Sequence, residues 1–241
     1  MADETVATRL AAVNDAVRAA AQRAGRNADD VTVIAVSKTF PPEAVTAALA
    51  AGLADVGENY VQEARAKRAA VGEPARWHLI GGLQRNKVRA AVAVFDCIQT
   101  VDSADLAVAL AEEAARAGRR LPVLIQVDVT GAAGRRGVAV EGVDELASML
   151  LGYPALQLDG LMTVPPIGAD SRGSFEVLRE VRDRAKQRLG VDLPHLSMGM
   201  SNDFSIAVEE GATLLRLGRA LFGERAPGGR RPGSSVRGDG R

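Results

Sequence analysis

The chain has 241 residues, of which 47% are hydrophobic and 25% charged, so it can bury a sizeable core in one domain or two. Thirty basic and thirty acidic side chains give a formal net charge of zero, which excludes a global electrostatic attraction to nucleic acid or to an anionic membrane. The single cysteine, Cys97, excludes an intrachain disulfide, and together with two histidines it forms no recognisable metal-binding pattern.

The two ends of the chain differ in character. No apolar stretch approaches the roughly 20 residues of a membrane span, and Asp3 and Glu4 are unlike the basic start of a secretory signal. We therefore expect a cytoplasmic protein without a membrane partner. The segment 226–241 is almost entirely Gly, Pro, Ser and Arg, which predicts a disordered basic tail after a domain spanning residues 1–225.

Eight apolar, β-branched runs alternate with helical patterns along this domain. An amphipathic helix over about 4–25 comes first. The predicted strands are, in chain order, VTVIAVS, ADVGE, WHLIGG, VFDCIQT, LPVLIQVDV, LQLDGLMTV, LPHLSM and TLLRLG. Helices are predicted over NYVQEARAKRAAV, QRNKVRAAVA and ADLAVALAEEAARAG, and at about 42–51, 141–150, 171–189 and 202–210. Cys97, within the fourth strand, reads as a buried and inert thiol.

Strands of nearly continuous apolar character, each followed by a helix, indicate an α/β protein with a parallel sheet covered by helices. A closed (β/α)8 barrel and an open doubly wound sheet both fit this pattern. Eight units within about 190 residues, without a long insertion, favour the barrel. We therefore predict a single (β/α)8 TIM barrel of parallel strands with an extra N-terminal helix.

Polar residues follow the predicted strands. In such barrels the chemistry lies at the carboxyl ends of the strands, and phosphate is usually held by the loops after the seventh and eighth strands. Lys38 follows the first strand, Asn59 the second, and Met162 with Thr163 ends the sixth. His78 lies within the third strand, where alternation directs it either into the barrel or towards the helices.

The loop SMGMSND, after the seventh strand, is typical of an anion-binding loop. Gly199 allows a close approach of the backbone, Ser197 and Ser201 supply hydroxyls, and a helix begins near Asn202. Taken alone, these residues also fit an ordinary serine N-cap with a glycine turn. Gly218, after the eighth strand, adds a second set of amides, so the two loops together favour a phosphate site.

Lys38 ends an apolar strand, whereas the other lysines, Lys67, Lys87 and Lys186, lie in patterns of solvated helix faces. A lysine after a strand is most often a solvated loop residue. Barrel closure, however, brings the eighth strand and its phosphate loop beside the first. A partly desolvated lysine amine near an arginine has a lowered pKa and is nucleophilic towards an aldehyde. Lysine and phosphate site together indicate a Schiff base with pyridoxal 5′-phosphate (PLP).

Arg216 lies within the predicted eighth strand, where a buried charge needs a partner or a ligand. A core salt bridge with Asp159 or Glu58 is one interpretation. The other is donation to the pyridine nitrogen of PLP, which would keep that nitrogen unprotonated because arginine itself stays protonated. An unprotonated pyridine ring is a poor electron sink, so transamination and decarboxylation would be suppressed.

Five motifs carry a resemblance to a known family. AVSKTFP, VGENYVQE, WHLIGGLQRNK, GLMTV and LSMGMSNDFSIAVEEGATLLRLGRALFG resemble, in this order, the motifs of the pyridoxal phosphate homeostasis proteins. These are small single-domain relatives of the alanine racemase N-terminal barrel, and the resemblance runs from about residue 8 to residue 225. It implies that Lys38 is the Schiff-base lysine, that Asn59 lies close to the cofactor and that Arg216 faces the pyridine nitrogen. The implied phosphate-binding groups are Ser201, Ser197 and the amides around Gly218 and Arg219. We also expect His78 and Met162 to be among the cofactor-binding residues.

Three features depart from the pattern of that family. Arg219 stands where a threonine is expected, and Gly82 stands where proline is common. The loop DVTGAAGRRGV carries Arg135 and Arg136 in place of a lysine-plus-glycine stretch. The glycines of this loop suggest mobility, and we expect the loop to lie over the mouth of the barrel.

Three functions remain open. The resemblance implies a monomeric PLP-binding protein that holds the cofactor reversibly for intracellular homeostasis and passes it to PLP-dependent apoenzymes without catalysis. An amino acid racemase is the alternative, but two-base racemase chemistry uses a tyrosine from a C-terminal β domain, and the residues after 225 are too few to form one. A phosphate-sugar barrel enzyme without PLP, with Asp128 as its carboxylate, ranks last. We expect the homeostasis function.

Overall fold

A computed structural model describes residues 5–72, 74–131, 134–165 and 171–224 of the chain. The predicted C-terminal tail and the domain boundary after residue 225 lie outside these residues. Within the described ranges the chain forms nine α-helices and nine β-strands. None of these helices is long and apolar enough to cross a membrane.

The bounds of the strands and helices are as follows. The strands are β1 (Thr32–Val36), β2 (Asp55–Glu58), β3 (Arg76–Leu79), β4 (Cys97–Val101), β5 (Leu121–Asp128), β6 (Val138–Ala139), β7 (Leu156–Met162), β8 (His195–Ser197) and β9 (Leu214–Leu217). The helices are α1 (Val6–Arg23), α2 (Pro42–Ala50), α3 (Val61–Val71), α4 (Val88–Val94), α5 (Ala104–Arg116), α6 (Val143–Leu151), α7 (Ser171–Leu189), α8 (Phe204–Glu209) and α9 (Arg219–Phe222).

Eight of the strands form a closed parallel barrel. They are hydrogen-bonded in the order β4-β3-β2-β1-β9-β8-β7-β5, and the pairing of β4 with β5 closes the ring. All eight predicted strands are present, so the predicted TIM barrel with an N-terminal helix is confirmed. The strand β6 was not predicted; it pairs with the end of β5 and is too short, at two residues, for a period-2 pattern to reveal it.

Local signals account for where the helices start. The Thr5 hydroxyl caps α1 by accepting the Thr8 amide at 3.2 Å. Helix α2 begins at Pro42, where the missing N–H of proline costs no hydrogen bond. The helix predicted over QRNKVRAAVA starts later than expected, because Arg85–Lys87 form a 3₁₀ turn and α4 begins at Val88.

Apolar side chains form two separate cores. The larger one lies between the barrel and its helices and includes the fully buried Trp77 and Phe95. The smaller one consists of Ile34, Cys97, Leu124, Met162 and Leu214. These five residues come from five strands spread around the ring, so their contacts can only lie inside the barrel. Strands buried on both faces explain the continuous apolar runs of the sequence.

Gly160 marks a very close approach between β7 and β8. Its φ is +156°, and a Cβ here would overlap the His195 carbonyl and lie 2.7 Å from its carbonyl carbon. We expect Gly160→Ala to lower the free energy of unfolding by about 3 kcal/mol, since the two backbones are held together by the ladder. Gly118→Ala, at φ +64° in open space, should cost only about 1 kcal/mol. Urea denaturation measures both losses, and equal losses would contradict this account.

Cys97 is buried inside the barrel, and burial raises the pKa of its thiol to about 12 from an ordinary value of 9.0. The folded state therefore favours the neutral thiol. This contribution to stability is complete below about pH 9 and is lost as the pH rises towards 12. At about pH 8 we expect a thiol reagent to label Cys97 only at the rate at which the protein unfolds. Rapid labelling in the absence of denaturant would contradict the burial.

Candidate functional site

The carboxyl ends of the barrel strands bring the predicted polar residues to one mouth. Because β1 lies between β2 and β9, Lys38 after β1 is flanked by Asn59 after β2 and by Gly218 after β9. A Cβ on Gly218 would lie 3.4 Å from the Val36 carbonyl oxygen, so the backbones of these two strand ends are in close contact. The barrel thus assembles residues that lie 180 positions apart in the sequence.

Lys38 is half-buried and lies in a tight turn. The Phe40 amide donates to the Ser37 carbonyl at 2.9 Å and closes this turn. Thr39, next to the lysine, has a φ of 68°, a left-handed conformation that is uncommon for a β-branched residue. The Phe40 ring lies 4.9 Å, centroid to centroid, from the Phe222 ring at the end of α9. The turn that carries Lys38 is therefore in contact with the segment after β9.

Asn59 is positioned through its backbone. A Cβ on Gly81 would lie 2.7 Å from the Asn59 Cα, so only glycine allows the loop after β3 to pack this closely. The Thr100 hydroxyl donates to the Gly81 carbonyl at 2.9 Å and holds that loop in place. Three neighbouring strands, β2, β3 and β4, thus support the position of Asn59.

The loops after β8 and β9, which are the predicted phosphate loops, are hydrogen-bonded to each other. The Ser201 hydroxyl accepts the Ala220 amide at 3.1 Å. The Arg219 guanidinium is exposed and donates from Nη2 to Asn202 Oδ1 at 3.1 Å. The structure therefore brings Ser201 together with the segment that contains Gly218 and Arg219.

Gly199 is required by the path of the loop after β8. Its φ is +91°, and a Cβ there would lie 3.2 Å from the Phe204 Cα. Its carbonyl accepts the Arg216 amide at 3.0 Å, which ties the loop to β9. The glycine of SMGMSND thus serves a close backbone approach, as its position in the motif suggested.

Arg216 is a buried cation without a contacting carboxylate. Its residue is 4% exposed, and Nη1 and Nη2 donate to the Ser197 hydroxyl and the Thr163 carbonyl, each at 2.7 Å. Burial lowers the pKa of its guanidinium to about 10, and the charge of Asp203 opposes this shift. Among the described residues it forms no ion pair, so the salt bridge considered with Asp159 or Glu58 is not found there. These two bonds use two of the five N–H donors of the guanidinium.

A chain of hydrogen bonds leads from Arg216 through the barrel. The Ser197 hydroxyl donates to Gln99 Oε1 at 2.6 Å, and Gln99 Nε2 lies 3.0 Å from His78 Nδ1. His78 Nε2 lies 2.7 Å from Asp55 Oδ1. Because the amide nitrogen of Gln99 can only donate, His78 accepts at Nδ1 and donates from Nε2 to Asp55. Every donor in the chain therefore points from the arginine towards the aspartate.

This chain, which we call the Arg216 relay, contains Arg216, Ser197, Gln99, His78 and Asp55. His78 faces the barrel interior, and both of its ring nitrogens are hydrogen-bonded within the protein. Gln99 was missed by the sequence analysis. The signal was available, since strand alternation puts Gln99 on the same face as the buried Cys97.

The remaining predicted residues line the interior or lie far from Lys38. Met162 is buried in the small core inside the barrel, together with Ile34 and Leu214. His195 begins β8 at the opposite end of the barrel, and its Nδ1 lies 3.2 Å from the Thr213 hydroxyl.

Lys67 corrects the prediction of a solvated helix face. It is 6% exposed, and its Nζ lies 2.5 Å from Glu58 Oε1 and 2.7 Å from the Ser37 carbonyl oxygen. A signal existed in the sequence of α3, where Val61, Ala64 and Lys67 are spaced at intervals of three and share the buried face. The prediction placed Lys67 on a solvated face because lysine is charged, whereas the residue is buried in an ion pair with Glu58.

The arginine loop after β5 crosses the mouth of the barrel. Gln126 Nε2 donates to the Arg136 carbonyl at 3.2 Å, and the Arg135 guanidinium donates to the Val164 carbonyl after β7. The Arg136 guanidinium occupies the space next to Gly82, after β3, that a side chain at position 82 would need. Two departures from the family pattern, Gly82 and Arg136, are thus in direct contact.

Comparison with known proteins supports the resemblance. The chain matches the family described as alanine racemase, N-terminal domain, over residues 9–226. The pyridoxal phosphate homeostasis protein of Aquifex aeolicus is 41% identical over 221 residues, which cover 90% of this chain and 97% of that protein. PipY of Synechococcus elongatus PCC7942, solved with PLP bound, is 36% identical with a TM-score of 0.80, and the match covers 91% of this chain and 100% of PipY.

A more distant likeness concerns the fold alone. The alanine racemase of Corynebacterium glutamicum is 19% identical with a TM-score of 0.66, and the match covers 88% of this chain and 60% of that enzyme. The match with the homeostasis proteins is closer in identity and nearly complete in length on both sides. This chain therefore belongs to the pyridoxal phosphate homeostasis proteins, within the family of the alanine racemase N-terminal domain.

Proposed function

We propose that this protein binds PLP reversibly through Lys38 and acts in intracellular PLP homeostasis, storing the cofactor and delivering it to PLP-dependent apoenzymes. Bound PLP supplies an aldehyde that a lysine amine captures and releases. Membership of the homeostasis family and the PLP-bound structure of PipY support the role. Its monomeric state and cytoplasmic location remain predictions.

The observation that carries the proposal is the buried guanidinium of Arg216. A buried charge without a contacting counterion is costly, so its uncommitted donors favour a ligand that accepts hydrogen bonds. The pyridine nitrogen of PLP is such an acceptor. The Lys38 turn, which follows the β1 residue in register with Arg216 by four positions towards the mouth, supplies the amine. The donor set of this chain therefore fits PLP.

The other predicted residues have roles that fit this arrangement. The Ser201 hydroxyl and the amides around Gly218 and Arg219 would hold the phosphate, where the two loops are already hydrogen-bonded. Asn59 would contact the cofactor from the β2 side, and Met162 would form part of the apolar floor. We assign His78 a supporting role within the Arg216 relay, because both of its ring nitrogens are committed to protein partners.

The Arg216 relay favours binding of PLP over catalysis with it. Ser197 and the Thr163 carbonyl fix the orientation of the guanidinium, and the remaining members fix Ser197 in turn. A protonated arginine donates to the pyridine nitrogen and cannot protonate it fully, so the ring is a weak electron sink. Of the two tyrosines, Tyr153 precedes β7 at the opposite end of the barrel, and Tyr60 is 52% exposed at the mouth. Neither is a buried second base beside Lys38.

Removal of Lys38 tests covalent capture. We expect the protein to turn yellow with PLP and, after borohydride reduction, to gain on Lys38 the mass of one cofactor less the water lost in condensation plus the two hydrogens added by reduction. Lys38→Ala should show neither change, because the proposed capture depends on the amine of that residue. The matched control is Lys186→Ala, which removes a lysine of α7 that forms an ion pair with Asp192. A colourless wild-type protein without an adduct would contradict the proposal.

Breaking the Arg216 relay tests its role in binding. Gln99→Leu keeps roughly the volume of the side chain but removes one of the two hydrogen-bond partners of Ser197 and one of the two of His78. We expect the Kd for PLP to rise roughly tenfold, because the Ser197 hydroxyl that orients the Arg216 guanidinium loses its support. Gln157→Leu is the control, because it removes a bond to Asp159 outside the relay. Absorbance titration measures both variants; equal affinities would show that the relay does not contribute.

A further inference from the structure

A buried cluster of charged residues lies directly behind the turn that carries Lys38. Lys67 on α3 is 6% exposed and Glu58 at the end of β2 is fully buried. Their Nζ and Oε1 atoms are 2.5 Å apart, and Glu58 Oε1 also accepts the Ser37 hydroxyl at 2.6 Å. None of these three side chains belongs to the set that we assign to PLP. We call this group, together with Glu63, the Lys67 cluster.

The cluster is hydrogen-bonded to the backbone on both sides of Lys38. Lys67 Nζ donates to the Ser37 carbonyl, the group joined by a peptide bond to the Lys38 amide, at 2.7 Å. On the other side, the Thr39 amide donates to Glu63 Oε2 at 3.3 Å. Glu63 Oε2 lies 3.6 Å from Lys67 Nζ, so one ammonium group joins both contacts. The backbone of the lysine turn is thus held at two points by one cluster.

Stability alone is a weak explanation for such a cluster. Burying a lysine and a glutamate costs desolvation energy, and apolar residues of similar volume often stabilise a fold as well or better. Burial raises the pKa of Glu58 above its ordinary value, and the hydrogen bonds from Lys67 and Ser37 oppose this shift only in part. Its second oxygen, Oε2, is buried without a hydrogen-bond partner among the described residues. Burying the cluster therefore costs desolvation free energy, and packing alone does not explain why the protein keeps it.

The turn itself needs such support. Thr39 adopts a left-handed φ of 68°, a strained conformation that persists only where the surrounding contacts impose it. Relaxing Thr39 to an extended or right-handed conformation would redirect the chain immediately after Lys38. The Glu63 carboxylate on the Thr39 amide and the Lys67 ammonium on the Ser37 carbonyl oppose that relaxation.

We propose that Lys67, held by Glu58 and Glu63, is a positioning residue that keeps the Lys38 turn in the conformation needed to capture PLP. The inference rests on the proposed function, because it concerns the geometry of the amine that the function requires. Lys67 itself is not a second capture site, since its ammonium group is buried and its bonds are all made within the protein.

The test compares Lys67→Met with Lys186→Met, which removes a half-buried lysine from α7. Lys67→Met keeps most of the length of the side chain but removes the ammonium group that donates to the Ser37 carbonyl and to Glu58. We expect its Kd for PLP to rise about tenfold or more, and borohydride to fix the cofactor to Lys38 more slowly. The pH midpoint of the absorbance of bound PLP should also shift, a change that mere loss of stability would not produce. Lys186→Met should match the wild type in all three measurements.

A second variant tests whether Lys67→Met weakens PLP binding only because the protein misfolds. Glu58→Gln/Lys67→Met removes both charges of the closest pair, so position 58 no longer carries an uncompensated carboxylate in the core. We expect this variant to unfold as cooperatively as the wild type in urea and to show the same weakened capture. A folded double variant with a Kd within about twofold of wild type and an unchanged pH midpoint would overturn the inference alone. A wild-type protein without an adduct at Lys38 would overturn the proposed function, and the inference with it.

Discussion

Closure of the parallel barrel is the constraint on which the candidate site depends. The first strand of the chain, β1, pairs with β2 on one side and with the last strand, β9, on the other. In that pairing Ile34 of β1 is in register with Arg216 of β9, and Lys38 follows Ile34 by four residues. An open sheet with the same strands would separate these residues. The chemistry we propose therefore requires the first and last strands of the barrel to pair with each other.

The interior of the barrel contains an apolar cluster and a hydrogen-bonded polar chain, and the two serve different purposes. An apolar cluster around Ile34, Leu124 and Met162 fills the centre and excludes water. The Arg216 relay crosses the same interior, and each of its members is hydrogen-bonded to the next. Buried polar groups are tolerated when they are satisfied, and a satisfied chain imposes one orientation on each side chain. The relay can therefore hold the guanidinium rigidly where an apolar core could not.

Two lysines illustrate how much the surroundings decide. Lys38 and Lys67 have the same side chain, yet we assign one to capture a cofactor and the other to hold a turn. Lys67 is committed because Glu58 and the Ser37 carbonyl surround its ammonium group. The contact between Gly82 and Arg136 shows the same dependence, since the absence of a side chain at position 82 leaves the space that a guanidinium fills. Each residue acquires its role from a neighbour that is distant in the sequence.

By itself, the sequence determined the strands, the order of strands and helices, and most of the polar residues at the mouth. Parallel strands buried on both faces leave continuous apolar runs, and helices between them leave a different period, so both could be read locally. The short strand β6 and the 3₁₀ turn before α4 were too brief to leave such a period. The tertiary structure alone decided the partners: Ser197 meets Gln99 across 98 residues, and Lys67 meets Ser37 across 30. Hydrogen bonds of less than 3 Å between distant residues depend on how the ring closes, and no local pattern contains that information.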